Sequence, residues 1–209
     1  MMFISEKKKF SEKIAYLISL LTTPPLLSTL IISYLIIWYP ELFYPISRRF
    51  ALIISIIFLF VIPSFPILVK VYWGDFDFFI SDRKKRGVYF RVTSVSYTSG
   101  AIISWAFESY ILMIYHITFL ILIFIISLLN HITKVSLHVS TAMCAITFVS
   151  SIIRGINPLL YLIVLLIIWA RMKIKAHTFP QIIIGLIVGY FSPELSIHVL
   201  DFVEKLLLT

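Results

Sequence analysis

Leu159–Trp169 is an almost unbroken run of Leu, Ile and Val, and it stops at Ala170–Gln181, where Arg171, Lys173, Lys175 and His177 crowd together. With Met172 and Ile174 added, the run is long enough for most of a bilayer crossing. In lipid the backbone must satisfy its own hydrogen bonds, so such a run folds as a helix. The pattern recurs along the chain, with apolar runs separated by short polar clusters. Of the 209 residues 60% are hydrophobic and 13% charged, at a mean hydropathy of +1.02. Soluble domains carry roughly 25% charged residues. Six glycines among many Ile, Leu and Phe, with no strict alternation, exclude a barrel. The expected fold is all-α: a polytopic membrane helix bundle of six to seven transmembrane helices, in a single membrane domain over 1–209.

In order, residues 1–14 form a basic N-terminal segment containing Lys7, Lys8, Lys9 and Lys13. A cleaved signal peptide is not expected, because the apolar segment that follows is too long. Ala15–Trp38 reads as the first span, broken near Pro24–Pro25, and Ala51–Val71 as the second, kinked at Pro63 and Pro66. Residues 72–91 form a polar loop. Val92–Phe107 and Ile111–Asn130 read as a hairpin turning at Glu108–Ser109. Loop 131–140 follows, then a short span Leu137–Ile153, a turn at Arg154–Pro158, and a sixth span with its core at Leu159–Ala170. Loop 170–181 precedes a seventh candidate, Gln181–Val199, interrupted at Ser192-Pro193-Glu194. Asp201–Thr209 reads as a surface tail.

Three clusters interrupt the spans: Asp82–Arg86, then Lys134, Ser136 and His138, then Arg171–His177. If every run crosses, the second, fourth and sixth spans all end on the face that carries the N-terminus, and those ends bear the clusters. One site assembled from all three is the simplest account. The net charge of +8 lies at span ends, so the expected partners are the lipid bilayer and anionic lipid head groups or phosphorylated substrates, with no nucleic acid. The charge bias places that face in the cytoplasm. The lone Cys144, in an apolar run, excludes a disulfide or thiolate metal site and reads as packing.

Arg171-Met-Lys-Ile-Lys-Ala-His177, with Gln181 beyond it, resembles the third signature of the type 2 phosphatidic-acid phosphatase superfamily, Ser-Arg-x5-His-x3-Asp. Lys134-Val-Ser136-Leu-His138 is similar to its second, Pro-Ser-Gly-His, without the Pro and Gly. The first, Lys-x6-Arg-Pro, is matched either by Lys84 and Arg91, with Val92 in place of Pro, or by the run Asp82-Arg83-x-x-Arg86. The form seen here looks like a divergent branch.

The resemblance implies an integral membrane phosphatase, with neither metal nor cofactor, acting on a phospholipid or isoprenoid lipid mono- or diphosphate. His177 would attack phosphorus and form a phosphohistidine, and His138 would protonate the leaving oxygen. Arg171 would cradle the phosphate with some of Arg83, Lys84, Arg86 and Arg91, together with Lys134 and Ser136. Gln181 stands where the family has an Asp that steadies the nucleophilic His. A neutral amide fixes the tautomer without stabilising the imidazolium, which implies a slower reaction.

Other polar residues have plainer explanations. His116, His131 and His198 read as packed or interfacial, Asp75 and Asp77 as solvated loop acids, and most aromatics as core or lipid-facing belt. Two alternatives are a lipid-binding or transport protein descended from such an enzyme, and a membrane prenyltransferase using Asp75, Asp77 and Asp82. The latter needs a second carboxylate cluster, and the only Asp outside this stretch is Asp201.

Overall fold

The computed structural model describes residues 10–74, 79–80, 82–153 and 158–207, with side chains up to Asp201 in the last helix. Asp75, Asp77, the lysines at 7–9 and most of the Arg154–Pro158 turn lie outside the described residues. Those that are described fold into helices and connecting turns, with no strand among them.

The expected first span, broken near Pro24–Pro25, is a bent pair of helices, α1 (Phe10–Leu21) and α2 (Pro24–Trp38), starting earlier than Ala15. They bend by 62° at Thr22–Thr23. Pro24 and Pro25 suit the first turn of a helix, where their missing N–H groups are not needed, and for the same reason α1 cannot continue through them. α1 therefore turns away from α2 and packs along α8 (Pro158–Lys173).

The second span runs without a break over Arg48–Tyr72, as α3 (Arg48–Ser55), a π-helical segment (Ile56–Val61) and α4 (Ile62–Tyr72). Pro63 and Pro66 are absorbed by this local widening rather than by a sharp kink. Pro63 has no N–H to offer the preceding turn, and Ser96 of the facing helix donates its hydroxyl to the Phe58 carbonyl at 2.6 Å. A side chain thus satisfies backbone that proline leaves open.

Helices α5 (Arg86–Ala106) and α6 (Tyr110–Leu129) form the expected hairpin, with Glu108 at φ 57° at its tip. Gly100 of α5 leaves room for the buried His116 of α6, whose ring would overlap any Cβ there. His116 Nδ1 donates to the Leu112 carbonyl at 2.8 Å, so this histidine is a packed one.

Helix α7 (Leu137–Ile153) is the centre of the bundle, buried along most of its length. Its small residues, Ser140, Ala142, Cys144 and Ala145 among them, let four helices approach. Closest is α9 (Phe179–Leu207), where Gly185 and Gly189 fall one turn apart and face α7. A Cβ on Gly189 would overlap the Ser140 carbonyl, and one on Gly185 would stand 3.2 Å from the Ser136 carbonyl. Small residues at this spacing bring apolar helices into backbone contact where no water drives them together. The expected interruption at Ser192-Pro193-Glu194 is absent. α9 continues through Pro193, and Ser192 donates its hydroxyl to the Val188 carbonyl at 2.6 Å.

Among the described residues three helices, Arg48–Tyr72, Tyr110–Leu129 and Phe179–Asp201, are long and apolar enough to cross a membrane, and the bent α1–α2 pair makes a fourth if it is counted as one span. Leu30, Phe65, Phe124, Leu162 and Phe191 point outward with more than half their surface exposed. An apolar exterior of this kind fits a membrane protein.

Candidate active site

The π-helical segment with α4, the starts of α5 and α7 and the end of α8 converge, with the α1–α2 corner, around one recess of about 740 Å³ counted out to its mouth. Arg86, His138, Arg171 and His177 line its polar end. Pro24, Phe60, Ile67 and Leu68 line the apolar remainder. Histidines 39 positions apart in the sequence thus share one wall of the fold.

His177 is placed by how α8 stops and α9 starts. Lys175 adopts φ 54°, and the N–H groups of Lys175 and Ala176 turn back to the Met172 and Arg171 carbonyls at 2.9 and 3.0 Å. This is a Schellman closure, with Lys175 where glycine is usual. α9 then opens with a capping box. The Gln181 side chain reaches back to the Thr178 N–H at 3.2 Å, Thr178 standing at the N-cap and Gln181 three residues on. His177 is held between these two devices.

Its Nδ1 faces two acceptors, the Lys134 carbonyl at 3.2 Å and Gln181 Oε1 at 3.3 Å. Both are oxygens that only accept, so Nδ1 carries the hydrogen and Nε2 keeps the lone pair. Burial holds the His177 imidazole far below its usual value, to about 3, and the charges of Arg171, Arg86 and Lys134 push the same way. The bond to the Lys134 carbonyl opposes the shift without reversing it. The ring is neutral at physiological pH.

Arg86 and Arg171 are each only 2% exposed, the two largest fully buried side chains among the described residues. Arg86 donates from Nε to the Ile80 carbonyl and from Nη1 to the Val135 carbonyl, both at 3.1 Å, and so ties the second cluster to the loop before α5. The Arg171 guanidinium lies over the Phe79 ring, 4.8 Å from its centroid. Phe79 also meets His138 edge-on at 5.7 Å. His138 Nε2 donates to the Ser19 carbonyl of α1 at 3.1 Å. Lys134 Nζ donates to the Ala176 carbonyl at 3.1 Å, which braces the loop carrying His177. Ser136 is buried in the turn before α7, and its hydroxyl has no hydrogen-bond partner among the described residues.

Of the residues expected at a shared site, His138, His177, Arg171 and Arg86 line the recess, while Lys134 and Gln181 support His177 from behind. Arg83 and Lys84 do not line it. They open onto a separate cavity with His131, and Arg91 Nη1 lies 3.5 Å from where a Cβ of Gly87, at that cavity's edge, would stand. Sequence reasoning passed over Phe79 and Ser19. An aromatic in a polar loop and a serine in an apolar helix carry no signal of contact with a histidine elsewhere in the chain. Gln181's capping role was visible in Thr178-Phe-Pro-Gln181.

Chemically, two buried guanidinium groups suit an oxyanion of phosphorus, and a neutral imidazole with a fixed tautomer suits a nucleophile. Among the described residues no three His, Cys, Asp or Glu side chains gather, and Asp75 and Asp77, which the prenyltransferase reading uses, lie outside them. No family model, no curated protein and no solved structure matches the chain.

Proposed function

We propose that this protein is a membrane-embedded phosphatase of a lipid mono- or diphosphate. The observation that carries the proposal is the recess where Arg86, Arg171, His138 and His177, drawn from three separate polar clusters, stand at the end of an otherwise apolar cavity. The lipid tail lies along Phe60, Ile67 and Leu68, and the head group meets the two arginines. They offset the charge on the nonbridging oxygens as the transition state forms.

His177 Nε2 attacks phosphorus, the bond to the lipid oxygen breaks, and a phosphohistidine results. His138 enters the step as the imidazolium and gives its Nε2 proton to the departing oxygen, exchanging its bond to the Ser19 carbonyl for one to the leaving group, which makes α1 part of the cycle. Water then attacks the phosphohistidine, losing a proton to the now neutral His138, and inorganic phosphate leaves with His177 restored. Without a carboxylate behind His177, Gln181 and the Lys134 carbonyl hold the ring's direction only. A phosphatidate or phosphatidylglycerophosphate-like lipid and an isoprenoid diphosphate all satisfy this geometry. No metal or cofactor enters the scheme. In this reading α5, α7 and α8 cross the bilayer with the longer spans, giving six to seven crossings. The recess opens to the cytoplasmic face.

The test is phosphate release by purified protein across a panel of lipid phosphates with EDTA present. Release that is lost in His177→Ala and retained under EDTA supports the proposal. A strict Mg²⁺ requirement refutes the mechanism. Lipid binding without any release assigns the recess to a lipid-binding or transport protein, a reading favoured by Gln181 and by the His138–Ser19 bond.

A further inference from the structure

Arg83 and Lys84, before α5, stand away from the recess and line a second cavity of about 680 Å³ counted out to its mouth, and Arg91 lies beside its Gly87 edge. Its walls are the start of α5, with Arg83, Lys84 and Gly87, and the end of α6, with Ser127, Asn130 and His131. The two cavities share no lining residue among those described. Helical spacing explains the division. Arg86 and Tyr89, three apart, turn to the recess, while Arg83, Gly87 and Phe90 follow the neighbouring stripe.

Arg83 is held in place by main chain rather than by a carboxylate. Its Nη1 donates to the Ile132 and His131 carbonyls at 2.9 and 3.3 Å, and the Asn130 amide donates to the Arg83 carbonyl at 3.0 Å. Arg91 folds back over Gly87, where the missing side chain leaves space. No acidic residue lines the cavity among those described. Asp82, beside it in sequence, spends Oδ1 on the Lys84 N–H at 2.9 Å. Cations gathered without an acidic neighbour, at the end of a helix apolar enough to span, form a receptor for an anion at the bilayer edge.

We propose that this cavity is a second phosphate-group site, occupied by the head group of an anionic bilayer lipid that is held rather than hydrolysed. It would fasten the open end of the α5–α6 hairpin, and with it the first turn of α5 that carries Arg86, to the membrane surface. The proposal does not depend on the phosphatase reading.

The test uses full-length His177→Ala protein, in which turnover cannot consume a lipid, in zwitterionic detergent. Retained phosphatidylglycerol is measured by native mass spectrometry, with phosphatidylcholine as control and inorganic phosphate as competitor. Lys84→Gln/Arg91→Gln, which leaves the carbonyl bonds of Arg83 intact, is expected to weaken phosphatidylglycerol binding about tenfold. Arg171→Gln, in the other cavity, is expected to leave it unchanged. Equal binding by the double variant, or loss through Arg171→Gln instead, overturns the proposal. Saturation by inorganic phosphate with no lipid retained overturns the choice of lipid as occupant.

Discussion

Gln181 Oε1 lies 3.3 Å from His177 Nδ1 and 3.2 Å from the Thr178 N–H, so one amide oxygen both caps α9 and orients the imidazole. The two roles separate by substitution. Gln181→Ala removes both bonds. It is expected to cost about 1 kcal/mol of stability through the lost cap and about a hundredfold in phosphate release through a loosened ring. Thermal melts and turnover assays in detergent measure the two effects independently.

Gln181→Glu keeps both acceptors and adds a charge. The carboxylate favours the imidazolium, so His177 protonates at higher pH than in the parent. The acid limb of the rate profile is expected to move toward neutrality, and the phosphohistidine step to quicken at pH 7–8. A pH–rate profile of kcat/KM for both proteins decides it; superimposed acid limbs would contradict the assigned contact.

The depressed pKa of His177 also makes stability depend on pH. Folded, the ring stays neutral down to about 3; unfolded, it takes up a proton near its usual 6.5. The unfolded state therefore binds more protons as pH falls between those values. The contribution is fully present above 6.5 and is lost below it, at up to about 1.4 kcal/mol per pH unit. His177→Gln is expected to show a shallower decline in melting temperature between pH 6.5 and 4 than the parent protein.

Lys175 occupies the left-handed conformation that ends α8, and its side chain is exposed. Glycine adopts that conformation without the clash of a Cβ. Lys175→Gly is expected to stabilise the protein by about 1 kcal/mol, read as a higher melting midpoint, with phosphate release unchanged.

Gly189 and Gly185 differ in how closely they approach α7. Gly189→Ala is expected to cost about 2 kcal/mol, because main chain of α7 must yield. Gly185→Ala, with its nearest contact at 3.2 Å, is expected to cost less than half as much. Denaturant titration of both variants ranks them.

Much of this architecture was legible in the chain, and for identifiable reasons. Arg171 and His177 end the apolar run that forms α8, so their presence there needed a cause other than solubility. Leu137–Ile153 was bounded correctly because polar residues flank it on both sides. The choice between the Lys84/Arg91 pair and the Asp82-Arg83-x-x-Arg86 run was not legible, since a few positions of rotation decide which cavity a side chain enters and nothing in DRKKR marks the start of α5. Phe79 against Arg171 and Ser19 against His138 are meetings made by the bend at Pro24. That bend reads in sequence as a break without a direction. Pro193 was overweighted as an interruption, because serine hydroxyls along α9 bond to its carbonyls and the helix runs on.

The π-helical segment at Ile56–Val61 carries one more residue per turn than its flanks, which in angular terms offsets everything after it by about 100°. Ser64, Ile67 and Leu68 owe their place on the recess wall to that offset. Shortening the segment by one residue would rotate all three toward the acyl chains of the bilayer and bring a different stripe inward. The width and chemistry of that recess wall are thus set by a single surplus residue, on a different helix from either histidine.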